Sequence, residues 1–281
     1  MSLFYASINS GSNGNCYYVG NSNEAVLVDV GISCREVEQR MNKMGLSIHS
    51  VKAIFISHEH TDHIKGVSVL AKKYKLPVYI TRKTRRHWIK GLQHLFVDFE
   101  ANEPIVIGEL IVTPFAKHHD ALDPHSFIIS YKGITVGVFT DIGQVCEDVI
   151  HYFKQCHAIF LESNYDEMML ENGSYPLLLK NRIRSGQGHL SNREALELFK
   201  MHKPHFMQHV LLSHLSKENN SPELAEKLFL ESAQNTVITI ASRYEPSAVY
   251  RLDTTLIDIA SIVAERKKSP LMRIMQLLLF E

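Results

Sequence analysis

Residues 57–63 read Ser57-His58-Glu59-His60-Thr61-Asp62-His63, after the apolar run VKAIFI and before IKGVSVLAKKY. A short apolar run closed by a polar turn predicts a buried strand, and the apolar spacing that follows predicts a helix. A strand-turn-helix joint lets three imidazoles and a carboxylate converge, and neutral imidazole with carboxylate is the ligand set of zinc and its neighbours. The plainer alternative is a set of solvent-facing loop histidines with Asp62 capping the helix.

Working outward, further apolar runs predict strands at LFYASINS, CYYVG, AVLVDVG, LPVYIT, LIVTPFA, the pair SFIIS and ITVGVFT, AIFLES, HVLLSH and TVITIAS. Helical spacing falls between them, at Ser33 to Leu46, Ile64 to Tyr74, Thr84 to Leu95, Val145 to Cys156, Tyr165 to Ile183, Asn192 to His202 and Pro222 to Ser232. Ser191 with Glu194 is a capping box, and Ser221-Pro222 places proline at a first helical position. Strands alternating with helices give a layered α/β class, and the early hairpin-like runs argue against a purely parallel sheet. One domain is expected over residues 1–250, with residues 251–281 as a C-terminal tail.

The chain has 281 residues, 45% of them hydrophobic, and no apolar stretch of membrane-spanning length. Its start lacks a charged segment followed by an apolar block, so no export signal is expected and the address is cytoplasmic. Cys16, Cys34, Cys146 and Cys156 lack metal or redox spacing and read as free thiols in packing. Thirty basic residues balance thirty acidic ones, so any nucleic-acid partner must be held by local patches. The sixteen histidines are the anomaly of the composition.

In SHEHTDH, the sequence resembles the metallo-β-lactamase superfamily. The resemblance implies a four-layer αββα sandwich with a metal site at one edge of its two sheets. It also implies that Asp29 in LVDVG supports the site from behind. Lys117-His118-His119-Asp120-Ala121 would supply the next ligand, His119, with His118 and His125 as rivals. Asp141 in FTDIG would be a bridging carboxylate and His214 in LLSHLS the last ligand. One ion would then be held by His58, His60, His119 and Asp141, and a second by Asp62, His63, Asp141 and His214. Zinc is the expected metal, and manganese or iron also suit the donors. Within the superfamily, SGSNGN, HHDA, LESNYD, GHLSN and LSHLSKENNSPEL resemble the YycJ/WalJ-like subgroup, which implies a nuclease, with 5′ to 3′ exonuclease action on DNA.

Two ions sharing a carboxylate hold a hydroxide near neutral pH and neutralise phosphoryl charge, which suits phosphodiester hydrolysis; Asp62 would both ligate and orient the nucleophile. Glu162 and His189 stand where related nucleases carry a pair that assists the leaving group, and a carboxylate holding an imidazolium is a reasonable proton donor. Ser10 to Asn15, SGSNGN, reads as a tight turn lining the site rather than a phosphate cradle, since no G-K-[ST] follows. Arg82, Lys83, Arg85, Arg86 and Lys90 around Trp88, and Lys180, Arg182 and Arg184, are candidate nucleic-acid contacts. The rival for each cluster is an ordinary solvated helix face.

At the end of the chain, Gln276-Leu277-Leu278-Leu279-Phe280 resembles the peptide by which bacterial replication and repair proteins bind the DNA sliding clamp. Gln276, Leu277, Leu279 and Phe280 would be its contacts, unless this tail packs on its own core. The leading expectation is a dinuclear metal-dependent DNA exonuclease in repair. RNA, small phosphodiesters such as cyclic nucleotides or ribose phosphates, and a non-enzymatic metal-holding adaptor are the alternatives.

Overall fold

A computed structural model describes residues 1–86 and 91–253. The first sheet is built from β1 (Ser2–Asn9), β2 (Cys16–Gly20), β3 (Ala25–Val28), β4 (Val51–Phe55), β5 (Val78–Ile80) and β6 (Phe96–Asp98). The second follows with β7 (Ile105–Ile107), β8 (Leu110–Ala116), β9 (His125–Tyr131), β10 (Ile134–Phe139), β11 (Ala158–Glu162), β12 (His209–Ser213) and β13 (Val237–Ile240). β14 (Tyr250–Asp253) returns to pair antiparallel with β1. The strand orders are β14-β1-β2-β3-β4-β5-β6 and β13-β12-β11-β10-β9-β8-β7.

Helices α1 (Cys34–Lys43), α2 (Thr61–Ile64), α3 (Val67–Tyr74) and α4 (Arg82–Arg86) belong to the first half. α5 (Glu147–Phe153), α6 (Glu167–Asn172), α7 (Leu177–Ile183), α8 (Asn192–His202) and α9 (Pro222–Leu230) belong to the second. Alternate side chains of the strands sort into three cores. Tyr5, Val26, Phe55, Phe127, Val136 and Phe160 meet between the sheets. On the outer face of the first sheet, Ile54 and Val78 pack with Val37 of α1 and Leu70 of α3. On the outer face of the second, Ile159 and Leu212 pack with Phe153 of α5, Phe199 of α8 and Phe229 of α9. This is the αββα sandwich, and it explains why central strands read as unbroken apolar runs: both of their faces are covered.

Expectations about three helices need correction, and the one over 84–95 is α4 at Arg82–Arg86, with a bend at Gly91 and a 3-10 turn at Gln93–Leu95. The helix expected over 165–183 is two, α6 and α7, because Gly173 to Pro176 interrupts it and Pro176 caps the second piece. The helix expected over 64–74 starts earlier as α2 and restarts after Gly66 as α3. β6 and β7 are three-residue, half-buried strands too short to leave a periodic signal. Capping boxes form at both Ser33/Glu36 and Ser191/Glu194.

Two histidines are buried as neutral rings in the second half. His209 Nδ1 lies 2.8 Å from the Tyr5 hydroxyl and its Nε2 2.8 Å from Thr239 Oγ1. His157 Nδ1 accepts from the Thr135 amide at 3.2 Å. Burial pushes both pKa values from 6.5 down to about 4. Between those values the unfolded chain holds protons that the folded one refuses, so stability present at neutral pH is lost as pH falls through that window. Denaturation followed from pH 7 downward should show this loss, and His209→Gln should show a smaller one than the native chain.

Candidate metal centre

Apart from His189, which precedes α8, the residues read from the motifs sit at or just past strand ends, and the sheet topology brings those ends together. Asp29 follows β3, residues 57–63 follow β4, Asp141 follows β10, Glu162 ends β11 and His214 follows β12. β3 and β4 are parallel, as are β10, β11 and β12, so within each sheet their carboxyl ends share an edge. β9 runs antiparallel to both β8 and β10, which returns the β8–β9 connection carrying His119 to that same edge. The amide of His125, first residue of β9, donates to the Ser57 carbonyl at 2.9 Å and ties the two sheets there.

Possible ligand atoms of His58, His60 and His119 lie within 4.8 Å of one another, and so do those of Asp62, His63 and His214. Asp141 joins His58 with His63 in one further group, and Glu162, His189 and His214 in another. Of the two rivals to His119, His118 is exposed, whereas His125 is buried with its Nδ1 2.9 Å from the Asp123 carbonyl.

The outer nitrogens of His58, His63, His119, His189 and His214 are engaged. His63 Nδ1 meets Asp29 Oδ2 at 2.7 Å, His58 Nδ1 meets Ser57 Oγ at 2.8 Å, and His119 Nδ1 meets the Gly188 carbonyl at 2.9 Å. Glu162 Oε1 lies 2.9 Å from both His189 Nδ1 and His214 Nδ1. The inward atoms are the opposite case: His58 Nε2, His119 Nε2, His214 Nε2 and Asp141 Oδ2 are buried without a hydrogen-bond partner. Buried polar atoms without partners are rare and costly, and here lone pairs converge with carboxylates. A divalent cation satisfies that arrangement, so the residues fit metal ions.

Charge says the same. Burial disfavours the His63 imidazolium, yet Asp141, Asp29 and Asp62 hold its pKa well above the usual value. Burial also opposes ionisation of Asp141 and Glu162, but surrounding imidazoles keep both below the usual carboxylate range. A buried site this rich in carboxylate is one a cation would neutralise.

Backbone geometry aims the side chains. Asp29, Asp141 and His214 adopt φ of 59°, 54° and 57°. Non-glycine residues in this left-handed region are uncommon, and such strain collects at functional sites. Gly31 is needed for a different reason, since a Cβ there would collide with the Asp62 carbonyl as α2 packs on the β3–α1 loop. His189 is placed by the Ser191 cap of α8 and by Leu190, whose amide donates to Glu162 Oε2 at 3.3 Å.

Three contributors escaped the sequence reading. Asn15 Nδ2 lies 3.1 Å from His63 Nε2 and 3.4 Å from Asp62 Oδ2, and its amide donates to the Asp62 carbonyl at 2.7 Å. The SGSNGN turn therefore props the motif helix, with its asparagine as the visible signal. Asp120 stands 3.3 Å from His119 Nε2 and pairs with Arg182. Lys117 is buried and donates to the Thr140 carbonyl at 2.6 Å, just before Asp141; burial lowers its pKa.

A cavity of about 270 Å³ opens over this edge, lined among others by His60, Asp141, His189, His214 and Arg182. Arg184 pairs with Glu171 at 3.0 Å. Arg82 and Arg85 share Asp98 at 3.0 Å each, and Lys83 lies 3.3 Å from Asp123. Arg86 joins neither the cavity lining nor an ion pair among the described residues. Trp88 and Lys90, and the terminal Gln276, Leu277, Leu279 and Phe280, lie outside the described residues.

Residues 10–198 match the family model described as the metallo-β-lactamase superfamily. The chain belongs to the metallo-β-lactamase superfamily. It is 35% identical over 233 residues to exodeoxyribonuclease YycJ of Bacillus anthracis, covering 80% of this chain and 87% of that protein. It is 33% identical over 227 residues to exodeoxyribonuclease WalJ of Streptococcus pneumoniae serotype 2, covering 79% and 84%. The crystal structure of the metallo-β-lactamase fold protein YhfI from Bacillus subtilis superposes with a TM-score of 0.69 at 17% identity, over 90% of this chain and all of that one. This metallo-β-lactamase chain is thus a hydrolase of the YycJ/WalJ-like kind.

Asp29 offers the test of how the site is supported. Asp29→Ala strands the Ser57 amide, the Ser57 hydroxyl and His63 Nδ1 without their acceptor. A loss on the order of 3 kcal/mol is expected in denaturation, together with about 10–100-fold weaker zinc binding by titration.

Proposed function

We propose that this chain is a dinuclear metal-dependent phosphodiesterase that degrades DNA as a 5′ to 3′ exonuclease. The observation that carries it is the convergence of partnerless buried nitrogens and carboxylate oxygens beside an imidazole, His189, held at 2.9 Å by Glu162. His58, His60, His119 and Asp141 would hold one ion, and Asp62, His63, Asp141 and His214 the other, with zinc the first choice for such donors. Bound there, divalent ions supply Lewis-acid neutralisation of phosphoryl charge and a hydroxide source near neutral pH. Names of the relatives, both exodeoxyribonucleases, support DNA as the substrate.

The chain's own groups do the rest. Asp62, 24% exposed at the cavity, orients the attacking group. Asp29 and Glu162 fix the imidazoles so that Nε2 faces inward. His189, with Nδ1 on Glu162, presents its other nitrogen to the cavity and protonates the departing oxygen. Arg182 lines the cavity and would exchange its Asp120 partner for a phosphate at the rim. Recruitment to the sliding clamp through Gln276 to Phe280 would place a cytoplasmic repair nuclease on its substrate; the support for it is that sequence segment alone.

Hydrolysis of small phosphodiesters stays as a second reading, because Arg82, Arg85 and Lys83 are already paired with Asp98 and Asp123 rather than open to a nucleic-acid backbone.

With zinc or manganese and end-labelled DNA, Asp62→Ala and Asp141→Asn should abolish degradation, and intact activity in both would sink the site. His189→Ala should slow DNA cleavage by roughly 10²–10⁴-fold, yet spare bis(p-nitrophenyl) phosphate, whose nitrophenolate leaves without a proton. Activity on that diester without activity on DNA would favour the second reading. Deleting 276–281 should leave hydrolysis intact and abolish clamp pull-down, whereas an unchanged pull-down would refute recruitment by the tail.

A further inference from the structure

Beside the metal-site cavity lies a second one of about 360 Å³ that none of the roles above employs. Ser216, two residues past His214, lines both. The rest of the wall between them is the SGSNGN turn: Ser10 accepts from the His214 amide at 2.8 Å, and Ser12 lies on the metal side. Leu215, Pro222 and Ile240 are the apolar part of the second cavity's lining, and Lys217, Arg243 and Tyr244 also line it.

Arg243 is held but not neutralised. Its Nη2 donates to Ser12 Oγ at 3.3 Å and approaches Asn13 Oδ1 at 3.5 Å, while Nη1 is buried without a partner. Among the described residues it has no carboxylate partner, unlike Arg82, Arg85 and Arg182. Tyr244 is 64% exposed on a fixed backbone: its carbonyl accepts from Arg40 at 3.0 Å and its amide donates to Ser242 Oγ at 3.0 Å. Lys43 braces the same loop through Glu245 at 2.6 Å. An anchored aromatic next to an unneutralised guanidinium, in a cavity also lined by apolar side chains, has the chemistry of a base-stacking platform with a phosphate contact.

We propose that this second cavity is a nucleotide subsite for the strand being degraded. Tyr244 stacks on a base, and Arg243 takes the phosphate next to the one in the metal-site cavity, with Lys217, 3.5 Å from Glu218, beside it. The cavities adjoin at Ser216, so one strand laid across that residue would reach both, and the charge of Arg243 is complementary to its backbone. The subsite rests on the nuclease reading, extends it to a second nucleotide, and makes single-stranded ends the species bound.

The full chain, its Arg243→Ala/Tyr244→Ala double variant and the conservative Arg243→Lys and Tyr244→Trp variants would be assayed on single-stranded oligodeoxynucleotides of graded length and on bis(p-nitrophenyl) phosphate. In the native chain kcat/KM should climb with length over the first few nucleotides. The double variant should lose roughly tenfold or more of that gain, through KM, with the small diester turned over as before. Tyr244→Trp should restore most of the stacking contribution, and anisotropy of a labelled oligodeoxynucleotide should show the matching loss of affinity in the double variant. Equal losses on both substrates, or no loss on either while the native chain degrades oligonucleotides, would overturn the subsite alone. A native chain that cleaves the small diester and no oligonucleotide would overturn the nuclease reading and the subsite with it.

Discussion

Two buried carboxylates, Asp29 in the first half and Glu162 in the second, hold the imidazoles that the rest of the site depends on. Asp29 takes the Ser57 amide at 2.8 Å and His63 Nδ1 at 2.7 Å. Glu162 takes the Ile142 amide at 2.6 Å and the Nδ1 atoms of His189 and His214 at 2.9 Å. Each carboxylate therefore links a backbone position in the strand-end loops to imidazole orientation, so tautomer and aim are decided by the fold. Glu162 does one thing more. By serving His189 and His214 through a single oxygen, it joins the proposed proton donor to a proposed ligand.

Topology supplies the convergence. Helical crossovers make β3 and β4, and then β10, β11 and β12, run in the same direction, and loops after parallel strands gather on one edge. The inter-sheet core of Phe55, Phe127 and Phe160 locks the two edges face to face. A site assembled from two sheets in this way is only as precise as that core, which links packing of aromatic side chains far from solvent to positions of polar atoms at the rim.

Much of this was legible in the sequence where chemistry and local structure coincide. His58, His60, Asp62 and His63 sit within six residues, so their clustering follows from one turn. Asp29, Asp141, Glu162 and His214 were named by the family resemblance, and each ends an apolar run, where a buried strand must give way to a polar loop. What stayed hidden was non-local. Asn15 reaches His63 across 48 positions and Asp120 meets Arg182 across 62, and no periodicity encodes such pairs. The cavity at Arg243 and Tyr244 depends on β13 and on the anchoring of the loop beyond it, whose sequence, ASRYEPS, carries no motif. The neutralisation of Arg82 and Arg85 by one aspartate was equally unreadable, since charge runs do not announce their partners.

The left-handed backbone at Asp29, Asp141 and His214 sets a limit on how this chain can change. At an ordinary turn a residue with positive φ drifts to glycine or asparagine and gains stability. At these three positions that drift would remove a group of the proposed site, so selection for a more stable fold and selection for the proposed activity pull in opposite directions there. A stabilised descendant of this protein should carry its improvements elsewhere, in caps, surface charge and loops, while the three strained residues persist as the record of what the molecule is for.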